Sequence, residues 1–138
     1  MSISKDQPCI DITALGIGQL PNPLLQNILN HTLEFSTNNP LGLEIKNIQG
    51  DGNGLNIPYR MRLKIDPPCE KVNFIILSFA ELAWEGFDVN DNVLDSNPSS
   101  PAPHNINGFS FTISGGVARV EFKSENEETI KVICCCCV

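Results

Sequence analysis

The chain has few of the residues that catalysis, metal binding and nucleic-acid recognition usually require. Its 138 residues include two histidines, one tryptophan and one tyrosine, and nine basic residues stand against 16 acidic ones, for a net charge of −7. This shortage of Lys and Arg argues against nucleic acids and anionic membranes as partners, because both are bound by basic patches. Arg60, Arg62 and Lys64 follow strand spacing and predict one solvated face.

Recognisable catalytic motifs are also missing. Neither His31 nor His104 has a partner at the spacing of a catalytic triad or a metal site. The sequence contains no nucleophile elbow, zinc-protease motif or phosphate-binding glycine loop. Glu81, Glu85 and Asp88 lie close together in sequence, but nothing predicts two carboxylates facing each other across a cleft. We therefore predict that the protein is not an enzyme and has no metal or cofactor at a catalytic site.

No apolar run reaches membrane-spanning length, and no hydrophobic signal segment follows Met1. Six cysteines nevertheless favour an oxidising location if they form disulfides. We therefore expect a location outside the cell, or on a cell or spore surface, without a visible signal peptide. Such a chain would be exported without a cleaved signal, be released from a dying cell, or be a mature form that has received a new Met1.

Alternation of apolar and polar residues dominates the chain and predicts strands. Ten glycines and ten prolines favour short strands joined by turns. We predict an all-β protein, an antiparallel sandwich or jelly roll of about nine strands with at most one short helix. The alternating segments are 10–13, 41–46, 59–66, 109–113, 120–122 and 130–134.

Several further features refine this prediction. The continuous apolar run Val72–Phe79 predicts a central strand buried on both faces. Asn90 and Asp91 predict a tight hairpin, and the proline-rich segment 97–103 predicts a solvated loop. Helical spacing occurs only within Leu24–Leu29, where it predicts one or two helical turns. We expect one sandwich domain over residues 1–133 and a cysteine-rich tail over 134–138.

The tail contains four consecutive cysteines, Cys134–Cys137. Successive strand side chains point to opposite faces, so the four thiols cannot all pack in one core. Zinc or copper binding is one reading, but no second Cys pair completes a tetrahedral site. A lipidation signal is another, and an incidental tail is a third. The fourth interpretation, which we favour, is covalent cross-linking of Cys134–Cys137 to neighbouring copies. Cys9 and Cys69 are further candidates for cross-linking.

Five segments together resemble bacterial extracellular β-sandwich domains of the galactose-binding or lectin-like kind. These segments are Cys9–Ile12, Pro67–Cys69, Gly86–Val93, Ile113–Phe122 and Glu127–Cys134. The resemblance implies a β-sandwich in which the first and last strands lie near each other, which would bring Cys9 close to Cys134. It does not account for the three cysteines that follow.

Residue types indicate two candidate ligand sites, one for calcium and one for a sugar. Asp88, Asn90 and Asn92 match the start of a calcium loop, but Val93 and Ser99 occupy the positions of its glycine and closing glutamate, which favours a plain turn.

Sugar binding needs an exposed aromatic residue beside polar groups. Trp84 is the candidate, although strand alternation predicts core packing for both Trp84 and Tyr59.

These observations predict a non-catalytic structural subunit that assembles with copies of itself into a fibre or surface layer. Disulfides through the C-terminal cysteines would lock the assembly. The alternative is a carbohydrate-binding, lectin-like module, with glycans as partners and Trp84, Asp88, Asn90 and Asn92 as ligand-binding residues. Calcium would be its cofactor, if it has one.

Overall fold

A computed structural model describes residues 9–28, 30–47, 52–78, 82–96, 105–124 and 128–136. These residues form antiparallel strands and a single turn of 3₁₀ helix at Ile12–Ala14. The strands are β1 (Cys9–Asp11), β2 (Gly18–Leu20), β3 (Leu24–Ile28), β4 (His31–Ser36), β5 (Leu43–Asn47), β6 (Asn53–Asn56), β7 (Arg60–Ser78), β8 (Leu82–Phe87), β9 (Val93–Ser96), β10 (Asn105–Ser124) and β11 (Glu128–Cys136). The prediction of an all-β antiparallel fold is confirmed.

The strands make one continuous sheet that divides into two leaves. The first leaf has the order β3-β4-β7-β10-β8-β9, in which β7 and β10 contribute residues 60–66 and 119–124. The second leaf has the order β2-β5-β6-β11-β7-β10, in which the same two strands contribute residues 71–78 and 105–114. Strand β1 pairs with β11 beyond the end of β6. The sheet is not a closed barrel, and the arrangement is consistent with a β-sandwich.

The two leaves are joined where β7 and β10 bend together. The ladder between these strands shifts register on both sides of the Val117–Cys69 pair. Gly115 and Gly116 have φ values of 109° and 86°, a backbone region that other residues rarely adopt, and they form the bend in β10. Strands that switch sheets through such bulges make the corners of a sandwich. The gap between segment 59–66 and the run that begins at Val72, and the gap between segments 109–113 and 120–122, are therefore bends within long strands.

The core lies between the leaves and contains side chains from both. Phe74 from the second leaf and Phe122 from the first meet edge to face, with ring centroids 5.4 Å apart. Gly86 lies so close to the opposite leaf that a Cβ atom there would be 2.8 Å from Ile113 Cγ2. Interlocked aromatic and aliphatic side chains thus hold the leaves face to face.

Three local predictions are wrong. Leu24–Ile28 is a strand, because pairing with β4 outweighs the helical spacing of its leucines. The run beginning at Val72 is central but is not buried on both faces, since Ile75 is 38% exposed. Tyr59 is 50% exposed and precedes β7, so it does not pack in the core.

The hairpin at Asn90 and Asp91 is confirmed. It joins β8 to β9, and Asp91 adopts a φ of 65°. The predicted loop 97–103 and the ends of the predicted run at Phe79 and of the helix at Leu29 lie outside the described residues.

Candidate functional site

The two ends of the described chain are joined by a disulfide between Cys9 and Cys134, with the Cα atoms 4.0 Å apart. Strand β1 pairs with β11 in the register that sets these cysteines opposite each other. Ile10 lies opposite Ile133, which is fully buried, so the apolar side chains of the pair face the core. The proximity implied by the lectin-like resemblance is confirmed, and this bond lies within one chain.

The remaining cysteines differ in position. Cys69 lies at the bend of β7, is fully buried, and places its Sγ 3.0 Å from the carbonyl oxygen of Lys71. Strand β11 continues past the disulfide, so that the backbone of Cys135 pairs with Val72 and that of Cys136 pairs with Lys71. Three of the four consecutive cysteines therefore belong to a strand, and Cys137 lies outside the described residues.

The acidic turn after β8 is held by its own hydrogen bonds. The backbone N–H groups of Asn90 and Asn92 donate to Asp88 Oδ1 at 2.8 and 2.9 Å, and Asn92 Nδ2 donates to Asp88 Oδ2 at 3.2 Å. The backbone hydrogen bond from Asn92 is the main reason that the pKa of Asp88 is lowered from 3.8. Three of the four residues proposed as ligand-binding, Asp88, Asn90 and Asn92, are therefore brought together, and the Asp88 carboxylate accepts the hydrogen bonds of the turn.

A groove of about 430 Å³ crosses the outer face of the first leaf. Its central row follows the strand register across five strands from β4 to β9. The residues of this row are Ser36, Arg62, Glu121, Glu85 and Ser96. A volume of this size falls within the range of small-ligand sites.

Trp84 lines the groove and also packs against the core. It lies opposite Phe122 in the β8–β10 ladder and is half-buried. The core packing predicted for Trp84 is therefore confirmed.

Two lining residues, Arg62 and Glu121, belong to a charged network that extends beyond the groove to Arg119 and Asp91. Arg119 Nη1 lies 2.6 Å from Asp91 Oδ1. Arg119 Nε lies 2.8 Å from Glu121 Oε2, and this contact is an ion pair whose geometry is not that of a hydrogen bond. The guanidinium of Arg119 also lies 4.0 Å from the ring centroid of Phe87. Arg62 Nε is 3.7 Å from the same Glu121 oxygen.

Elsewhere in the groove, Arg60 and Lys123 are directly opposite each other in the β7–β10 ladder. The solvated face predicted at Arg60, Arg62 and Lys64 is confirmed. Lys123 could not be assigned to this face from the sequence, because it becomes a neighbour of Arg60 only through strand pairing.

The described residues were also compared with the requirements of a metal site and of a membrane-spanning helix. In the described parts of residues 9–136, no group of three or more His, Cys, Asp or Glu side chains is placed to hold a metal ion. His31 is buried, and its Nδ1 lies 2.6 Å from the carbonyl oxygen of Pro67; His104 lies outside the described residues. The described residues include no helix that is long and apolar enough to cross a membrane.

Comparison with protein-family models gives no match, and comparison with curated protein sequences gives none either. Among solved structures, the chain is similar to the enzymatically active domain of tailspike protein 4 from bacteriophage CBA120, with 15% sequence identity and a TM-score of 0.29. The match covers 86% of this chain but 18% of the tailspike chain. A likeness at this level assigns no function.

Proposed function

We propose that the protein is a non-catalytic structural subunit that associates with copies of itself and is cross-linked through its C-terminal cysteines. The disulfide between Cys9 and Cys134 is the observation that carries this proposal. It uses one of the four consecutive cysteines, and Cys69 is enclosed in the core. The three cysteines of 135–137 remain, and an odd number of thiols cannot all pair with one another.

The sheet edges supply a route to association. Within the described residues, β3 pairs only with β4 and β9 pairs only with β8, so the first leaf has an open edge on each side. Leu25 on β3 is 58% exposed and Val93 on β9 is 55% exposed. Joining one edge to the other between copies is a head-to-tail contact, which produces an open polymer unless rotation closes it into a ring.

Cross-linking would follow association. Each new disulfide forms from two thiols, which transfer two electrons and two protons to an external oxidant such as dioxygen or a low-molecular-weight disulfide. We propose that this occurs outside the cell or on its surface, because reducing conditions in the cytosol oppose stable disulfides.

The test uses the full chain, oxidised in air after purification. Non-reducing gels and electron microscopy should reveal multimers that persist in denaturant and dissociate with reductant. A Cys135→Ser/Cys136→Ser/Cys137→Ser variant should run as a monomer in the same non-reducing gel. It should retain the bond between Cys9 and Cys134.

The matched control is a Cys9→Ser/Cys134→Ser variant, which keeps the three cysteines and should still form reducible multimers. If the wild-type chain runs as a monomer with and without reductant, the proposal fails. It also fails if the triple variant cross-links as extensively as the wild type.

A second candidate function, carbohydrate binding, is favoured by the groove on the first leaf. The groove brings carboxylate, guanidinium and hydroxyl side chains together, and such groups hydrogen-bond to the hydroxyls of sugars. A glycan array probed with the full chain tests this. Binding should weaken in Glu85→Gln, which leaves the core unchanged, and in Trp84→Ala; chelation with EDTA tests the dependence on calcium. Absence of binding to any glycan would reject this function.

A further inference from the structure

The groove contains a pair of like charges that no side chain neutralises within the described residues. Arg60 and Lys123 are cross-strand partners, and neither takes part in an ion pair in the described part of the chain. Arg60 instead lies 5.5 Å from the ring centroid of Tyr59. Like charges directly opposite each other destabilise a sheet, so this pair costs stability unless an anion lies between them.

The other two arginines on this face differ from Arg60, since each forms an ion pair with an acidic side chain. Arg119 contacts both Asp91 and Glu121, and Arg62 shares Glu121. The excess positive charge of the groove is therefore concentrated at Arg60 and Lys123, in a chain whose net charge is −7. Such a concentration would attract an anionic group of a ligand to this end of the groove.

The rest of the groove offers further hydrogen-bonding groups. Ser36, Asn38 and Ser96 line it, and Glu85 supplies a carboxylate acceptor. The row from β4 to β9 spans four strand spacings, about 19 Å at about 4.8 Å each. This length and these groups suit a ligand that carries several hydroxyl groups.

The groove floor disfavours a peptide. Strands β7, β10 and β8 are each paired on both sides there, so their main-chain groups are already used in the sheet. A peptide that binds by adding a strand needs an unpaired edge. Recognition in the groove must therefore come from side chains.

We infer that the groove binds an anionic oligosaccharide, with a carboxylate of the sugar held between Arg60 and Lys123 and its hydroxyls contacting Glu85 and Ser96. This inference rests on the candidate carbohydrate-binding function and names its ligand class. Guanidinium and ammonium groups both form charge-assisted hydrogen bonds to carboxylates, and the planar guanidinium can do so through two N–H groups.

The experiment measures binding of hexagalacturonate to the full chain, with fully methyl-esterified hexagalacturonate as its uncharged counterpart. Trp84 is the only tryptophan and lies in a strand of the groove floor, so binding is followed by the change in its fluorescence and by calorimetry. Hexagalacturonate should bind at least about tenfold more tightly than the ester, because charge-assisted contacts are lost with the ester. Added salt should weaken the binding.

Arg60→Gln/Lys123→Gln should weaken hexagalacturonate binding by about tenfold or more. The matched control is Lys46→Gln/Lys64→Gln, which removes the same charge from residues that do not line the groove and should change binding less than about twofold. Far-UV circular dichroism confirms that both variants are folded.

Three results would overturn the inference. Equal affinity for the ester would mean that the site binds neutral sugars, so the carbohydrate-binding function would stand without the anionic preference. Equal weakening by the two double variants would mean that net charge, not the pair, controls binding. Equal affinity for a poly-glutamate peptide would mean that the groove recognises acidic chains in general.

Discussion

Removing the disulfide between Cys9 and Cys134 should lower the free energy of unfolding by about 2–5 kcal/mol. The two cysteines are 125 residues apart. In the chain-entropy description, opening a loop of that length returns about 16.5 cal/mol/K to the unfolded chain, or about 4.9 kcal/mol at 25 °C. This figure is the upper end of the expected range, because residual structure in the unfolded chain reduces the gain.

The corresponding change in melting temperature follows from the size of the protein. About 2.1 cal/mol/K of unfolding entropy per residue over 138 residues gives about 0.29 kcal/mol/K for the whole chain. A loss of about 2–5 kcal/mol therefore lowers the melting temperature by about 7–17 °C. Differential scanning calorimetry and urea unfolding should agree on this loss.

The comparison requires a background in which Cys135, Cys136 and Cys137 are serine, so that no neighbouring thiol can replace Cys134. Cys9→Ser/Cys134→Ser is then introduced into that background. Reducing the parent should produce the same loss as the substitutions. A loss below about 1 kcal/mol would show that strand pairing alone holds the chain ends, and the reasoning from loop entropy would be refuted.

Two further variants test the packing of the leaves and the acidic turn. Gly86→Ala should destabilise the fold by about 1–3 kcal/mol in urea unfolding, because its Cβ would meet Ile113, whereas Gly16→Ala, with nothing within 4 Å, should cost far less. Equal losses would contradict this packing. The pKa of Asp88 is lowered in the folded state, so its contribution to stability is present above pH 3.8 and is lost as the pH falls toward the folded value. Asp88→Asn should flatten this part of the pH dependence between about pH 5 and about pH 3, and an unchanged profile would contradict it.

Strand content could be predicted from the sequence because one face of most strands is buried. The alternation at Met61, Leu63 and Ile65 marks the core face of β7, where all three are almost fully buried. The turn at Asp91 was also predictable, since few residues other than glycine, asparagine and aspartate tolerate a positive φ.

The long bent strands could not be predicted from local signals. Pro67 and Gly115 are typical of turns, but here they lie at the corner where β7 and β10 cross between leaves. Whether such a residue ends a strand or bends it depends on the partner strand. The same reason explains the error at Leu24–Ile28, where pairing with β4 decides the conformation.

The groove could not be predicted from the sequence, because it depends on the register of the paired strands, which alternation alone does not define. Ser36, Glu85 and Glu121 are far apart in sequence, and they form one row only because β4, β7, β10 and β8 pair as they do. A shift of one residue in any of these strands would move its charged side chains to the other face. The run of four cysteines, in contrast, is evident in the sequence, but residue type alone does not say which of the four forms the disulfide with Cys9.

Register also explains why Cys9 pairs with Cys134 rather than with the adjacent Cys135. If Cys9 paired with Cys135, every side chain of β1 would point to the opposite face of the sheet, because side chains alternate along a strand. Ile10 would then leave its position opposite Ile133 and lose its packing against the core. Packing of this apolar pair therefore excludes Cys135 and, by the same alternation, Cys137 as partners of Cys9. The proposed cross-link to other copies would use the cysteines that follow Cys134.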